Sequence, residues 1–139
     1  MPAFVSDLFR AVTRARPEQV WAALTTTGSP VAYLYGMTVE SGWSVDGAVT
    51  MTLDHQWRLT GEVLVAEPFR RLSYTLGERP GGPSVYVNWE LRTSGGLTYA
   101  RLYVDEFQPP AGAGDELEAA WLPVLCGLVT QLDQAATAG

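Results

Sequence analysis

Hydrophobic positions along the chain follow two different periods. Between Met37 and Phe107 they recur at every second residue in MTVESGW, GAVTMTL, QWRLTGEVLVAE, RRLSYTL, SVYVNWELRT and LTYARLYVDEF. A period of two sends successive side chains to opposite faces of an extended chain, so each run predicts a β-strand. Asp46-Gly47, Asp54-His55, Glu67-Pro68 and Gly95-Gly96 separate the runs, and links this short predict an antiparallel meander. Residues 4 to 15, FVSDLFRAVTRA, mix β-formers with polar positions and stop at Pro17, which adds an opening strand.

Toward the C-terminus the period lengthens. Leu117, Trp121, Val124, Leu125, Leu128, Val129 and Leu132 fall at steps of three and four. Asp115 to Ala136 therefore predicts a helix about 30 Å long with one apolar side. Asp115, Glu116 and Glu118 crowd its first turn, where carboxylates complement the helix dipole. Pro123 removes one backbone hydrogen bond. It predicts either a kink near Trp121 or a separate short turn over Asp115 to Leu122, with the main helix starting at the proline. In both cases Leu125 to Leu132 face the core.

Two shorter helical signals lie between the first strand and the meander. PEQVWAALT places Pro17 at a first helical position and Glu18 in the first turn, and VAYLYG from Val31 supplies one more short turn before Gly36. Alternation assigns faces to the strands. Val49, Met51 and Leu53 share one face, as do Trp57, Leu59, Val63 and Val65 on the next strand, then Leu72, Tyr74 and Leu76. Val87 and Trp89, with Leu102 and Val104, continue that apolar face, while Asn88, Glu90, Arg101 and Tyr103 take the other. Gly61, in mid-strand, marks a predicted bend or bulge. The predicted class is α+β: a curved antiparallel sheet of six or seven strands wrapped around the long C-terminal helix, with two short helices between strands 1 and 2.

Composition narrows the functional classes. A chain of 139 residues, 47% hydrophobic, suits one core and hence a single domain. Neither an apolar run of about 18 residues nor a signal-peptide pattern is present, so a cytoplasmic protein without a membrane span is expected. Nine Lys plus Arg stand against 15 Asp plus Glu, a formal charge of −6. That balance argues against nucleic acid and anionic membranes as partners.

Catalytic clusters are scarce. His55 is the single histidine and falls in a turn, and Cys126 is the single cysteine, so neither a metal site, a cofactor site nor a disulfide is expected. No serine has a histidine placed beside it by sequence, and the Gly-Gly pairs lie in hairpins, where they cradle no phosphate. ERPGGPS, residues 78 to 84, reads as a solvated hairpin tip. The apolar faces carry a different signal. Trp43, Met51, Trp57, Tyr74, Trp89, Trp121 and Leu125 stand on surfaces that converge, and aromatic groups line cavities as well as filling cores. These seven are the candidate ligand-binding residues, with ordinary packing as the competing reading for each. Tyr74 and Glu106 are candidates to orient a ligand, and Tyr33 and Tyr35 to rim an entrance.

ARPEQVWAALT at 15–25, Trp43 followed by VDGAV, GEVLVAEPFRRLSYT at 61–75 and VNWEL before GGLTYARL resemble, in this order, the SRPBCC superfamily. Within those START and birch-pollen-allergen-like helix-grip proteins, the closest likeness is to the branch named after homologues of the heat-shock-chaperone ATPase activator. Trp121 fits the aromatic that opens that branch's last helix. TTGSPVAYLYG departs from it where Asp-Pro and a tryptophan are usual. The resemblance implies a cavity between the long helix and the sheet, often open to apolar ligands. It also implies a choice of functions: non-catalytic binding of a lipid, polyketide or flavonoid-like molecule, a cyclase or dehydratase, or a chaperone ATPase regulator. The scarcity of inward acids and bases favours binding without catalysis, to an apolar small-molecule partner, with a homodimer left open.

Overall fold

The computed structural model describes residues 4–54, 56–79, 83–107 and 113–138. His55 and the tip of the ERPGGPS hairpin lie outside them. An opening strand, β1 (Phe4–Thr13), leads into α1 (Pro17–Leu24). Pro17 takes the first helical turn, and the Arg16 backbone N–H donates to Gln19 Oε1 at 2.8 Å, so a terminal donor finds a partner. Next come a two-residue strand, β2 (Pro30–Val31), and a 3-10 turn, Ala32–Leu34. The meander follows: β3 (Met37–Ser41), β4 (Ala48–Leu53), β5 (Trp57–Glu67), β6 (Arg71–Gly77), β7 (Ser84–Ser94) and β8 (Leu97–Phe107).

All pairings are antiparallel, in the order β1-β8-β7-β6-β5-β4-β3-β2. Among the described residues the sheet has eight strands rather than six or seven, because Pro30–Val31 pairs with Met37–Thr38 at its edge. The second short helix is a single 3-10 turn. α2 (Ala113–Ala138) runs through Pro123 as one helix of 26 residues, so no separate turn precedes the proline. No helix among the described residues is long and apolar enough to cross a membrane.

The core lies between the concave face and α2. Val63, Leu72, Tyr74, Val87, Trp89 and Leu102 from the sheet are buried with Val124, Leu125 and Leu128 from the helix. One face assignment needs correction. The register between β5 and β6 shifts between Val63 and Val65, and one extra residue reverses the parity beyond it. Ala66, opposite Leu72, therefore packs on the core, while Val65 sits opposite Ser73 on the outer face. Gly61 is not the bulge. A Cβ there would stand 1.7 Å from the Thr75 carbonyl oxygen, so the glycine admits a close approach of β6.

α2 comes nearest to β1 and the 3-10 turn. Gly127 permits that approach, since a Cβ at this position would lie 3.2 Å from Tyr33 Cβ. Asp133 fastens the helix at its far end: Thr13 Oγ1 donates to Asp133 Oδ1 at 2.6 Å and the Arg14 N–H donates to the same oxygen at 3.1 Å. With the helix held toward β1, the opposite half of the concave sheet is left less tightly covered.

Candidate functional site: a cavity beneath the C-terminal helix

That half holds a cavity of about 510 Å3. Met37 and Met51 from β3 and β4, Leu59 from β5, Leu76 from β6 and Val85 from β7 line the sheet side. Leu34 from the 3-10 turn, with Trp121 and Val124 from α2, line the other. The mouth lies among Tyr35, Trp57, Glu78, Arg79 and Pro83, all exposed. Two hydrogen bonds brace it. The Trp57 indole N–H donates to Glu78 Oε1 at 3.0 Å, and the Tyr35 hydroxyl donates to the Ala120 carbonyl across to the helix. Tyr35 occupies the left-handed backbone region, with φ at 59°, which ends the 3-10 turn and turns its side chain toward α2. Apolar walls with polar groups gathered at the rim are the usual chemistry of a small-molecule pocket. Glu106 adds a carboxylate to the wall; the register places it on the same face as Leu102 and Val104.

The structure divides the seven candidate residues. Met51, Trp57 and Trp121 line the cavity. Trp43, Tyr74, Trp89 and Leu125 instead pack in or against the core beside it. The Trp43 indole N–H donates to the Thr25 carbonyl at 3.0 Å, and its ring lies 5.8 Å from that of Tyr74. Trp89 is 1% exposed and Leu125 fully buried. Of the two proposed rim tyrosines, Tyr35 stands at the mouth, whereas Tyr33 is buried with its hydroxyl donating to the Ala23 carbonyl at 2.6 Å. Sequence reasoning missed Leu34, Met37, Leu76, Val85 and Val124 as wall residues. The strand parity of Met37, Leu76 and Val85 and the helical stripe position of Val124 were visible, but neither pattern separates a cavity wall from a packed core.

Burial dominates the titration of the inner tyrosines. Desolvation pushes Tyr74 up to about 12, offset in part by a hydrogen bond from the Trp89 indole. Desolvation, reinforced by nearby Tyr74, raises Tyr33 further. Both phenols thus stay protonated in the folded state after their unfolded counterparts ionise near about pH 10. The unfolded chain then binds fewer protons than the native one, so stability falls as pH rises. Each tyrosine is expected to contribute a loss of about 1.4 kcal/mol per pH unit from about pH 10, ending for Tyr74 near its folded value of about 12. Denaturant melts between pH 8 and pH 12 check this, and Tyr33→Phe should flatten the slope.

Comparison with known proteins decides the family. The profile of the "Activator of Hsp90 ATPase homolog 1-like protein" family matches residues 14–132. The chain belongs to this family. Its helix-grip architecture recurs in MLL2253 from Mesorhizobium loti, 23% identical with a TM-score of 0.77 over 93% of this chain and 97% of that one. The Aha1 dimer from Colwellia psychrerythraea is 17% identical, with a TM-score of 0.75 over 93% and 96% of the two chains. DynU16, from the dynemicin biosynthetic locus, is 21% identical with a TM-score of 0.73; the match takes in 97% of this chain and 49% of DynU16. At such identities the likeness is one of fold. No curated protein matches the chain. Membership in the Activator of Hsp90 ATPase homolog 1-like family places the chain among the SRPBCC helix-grip proteins and leaves the contents of its cavity to be argued from the cavity itself.

Proposed function

We propose that the protein binds an apolar or aromatic small molecule, lipid-, polyketide- or flavonoid-like, between α2 and the sheet, and releases it unchanged. The observation that carries this reading is the cavity of about 510 Å3, walled by Met37, Met51, Leu76, Trp121 and Val124 and polar chiefly at its mouth. A volume of that order suits a drug-sized ligand. Likeness to a protein from a biosynthetic locus fits a ligand that is itself a biosynthetic product. A cyclase or dehydratase would need an acid or base at the reacting atoms. Glu106 stands on the cavity wall with Glu78 at the mouth, and the task assigned to Glu106 is to orient a ligand.

Thermal melting against a library of fatty acids, polyketides and flavonoids tests the proposal. A ligand at 100 times its dissociation constant is expected to stabilise the fold by about 2.7 kcal/mol, a shift of several degrees. Quenching of tryptophan fluorescence should accompany it through Trp57 and Trp121. Leu59→Trp, which adds bulk to the wall, is expected to abolish the shift while the unliganded protein still melts cooperatively. Sedimentation of the same samples reports whether the protein, like the Colwellia relative solved as a dimer, self-associates. A library-wide absence of both signals would remove the binding reading and bring a protein partner, such as a chaperone ATPase, to the front.

A further inference from the structure

The convex face of β1, β8, β7 and β6, turned away from the cavity, carries a charge pattern that ligand binding leaves unused. Register places Arg10 opposite Arg101, Arg101 opposite Glu90, Glu90 opposite Arg71 and Arg71 opposite Glu67, so one row across five strands holds three guanidinium groups and two carboxylates, with Arg10 and Arg101 adjacent at its β1–β8 end. Like charges directly opposite one another destabilise a sheet. Glu90 is already shared. Its Oε2 lies 3.7 Å from Arg101 Nη1, and its Oε1 accepts from Asn88 Nδ2 at 3.3 Å while Asn88 Oδ1 accepts from Arg71 Nε at 2.9 Å. Arg101 Nε is buried and has no partner among the described residues.

Neighbouring rows add aromatic and aliphatic surface. Tyr86 and Tyr103 meet edge to face at 6.2 Å, and Tyr99 stands between Val12 and Arg92. Leu8, Val12 and Tyr99 are 37%, 44% and 44% exposed. A groove of about 320 Å3, lined by Leu8, Tyr86 and Tyr103, opens over Arg71, Glu90 and Arg101 of that row. All nine cationic residues of the chain are arginine, and Arg10, Arg71, Arg92 and Arg101 share this face with Glu90 and Asp105, while Glu67 borders it on β5 opposite Arg71. Asp105 is engaged by Ser6 Oγ at 2.8 Å. An overall charge of −6 thus coexists with a locally cationic face. Tyrosine and arginine are the residues enriched where proteins bind proteins. From Arg10 to Arg71 the row extends over roughly 15 Å at the usual strand spacing, wider than a single small anion spans.

We propose that this face docks an acidic polypeptide segment, whose carboxylates engage the guanidinium donors that Glu90 leaves unsatisfied and whose apolar side chains cover Leu8, Val12 and Tyr99. The probe is a fluorescein-labelled peptide of alternating glutamate and leucine, titrated by anisotropy into the intact protein. Saturable binding is expected in about 50 mM NaCl, weakened about tenfold or more in about 0.5 M NaCl. Arg10→Gln combined with Arg101→Gln should weaken it about tenfold, whereas Arg58→Gln, on β5 outside this row, should not. Amide shifts mapped on the unsubstituted protein give an independent reading should the double variant not fold. Changes concentrated at residues 8–12, 86–92 and 99–103 support the proposal. No binding at low salt, equal loss in Arg58→Gln, or shifts centred on the cavity mouth would overturn it. Displacement of the peptide by millimolar inorganic phosphate, with the same arginine dependence, would overturn it in favour of a small-anion site.

Discussion

Replacing Trp89 by alanine is expected to cost about 3–5 kcal/mol of folding stability, among the largest losses any single side chain here should cause. Trp89 stands on β7 with Leu72 opposite on β6 and Leu102 opposite on β8, both fully buried. It is 1% exposed and does not line the cavity, so truncation opens a new void instead of enlarging an existing one. The loss has a polar component as well. The Tyr74 hydroxyl is deeply buried, and removing the indole takes away its hydrogen-bond donor. Trp57→Ala supplies the contrast, because Trp57 is 42% exposed at the mouth and should cost only about 1 kcal/mol. Denaturant melts of both variants, with unchanged slope, separate the two sites. Equal losses would mean that Trp89 already borders empty space.

Gly61→Ala should be comparably damaging, at about 3 kcal/mol or more, although it adds one methyl group. The added Cβ would lie 1.7 Å from the Thr75 carbonyl oxygen and 2.4 Å from its carbon. Both are backbone atoms, so no side chain can rotate away; β5 and β6 must part. Parting them also disturbs the rim, since Trp57 and Leu59 lie upstream on β5, and Gly77 ends β6 with Glu78 just beyond it. Gly42→Ala is the control. Its Cβ would meet nothing within 4 Å, and the substitution should be neutral within about 1 kcal/mol. Denaturant melts and hydrogen exchange on the β5–β6 amides distinguish a local parting from a uniform loss.

Much of this architecture was legible in the sequence because its two periods are clean. Alternation in the six central runs and the stripe from Trp121 to Leu132 leave few ways to bury both faces, and the curved sheet gripping the helix is the economical one. What escaped the pattern was local. Pro30–Val31 is too short to show a period, and the extra residue between Val63 and Val65 leaves no mark in composition. A glycine in mid-strand predicts a bend or bulge, but Gly61 marks a place where β5 and β6 touch, and the register slips beyond it. The site was legible only as a face. Parity put Met51, Trp57, Tyr74 and Trp89 on the concave side without giving depth, and depth is set by how far α2 leans toward β1. The middle of the sheet is consequently sealed over Tyr74 and Trp89, whereas Trp57, at a strand end, reaches the opening.

The central claim, that the cavity beneath α2 is the ligand site, is tested most directly by its methionines. Met37 and Met51 are buried and both line the cavity. Methyl-13C labelling of methionine, followed by titration with the strongest stabilising ligand, should move the Met37 and Met51 resonances together along one saturation curve. That curve should match the curve for tryptophan quenching. A ligand that raises the melting temperature yet leaves both methyl resonances in place would contradict the account.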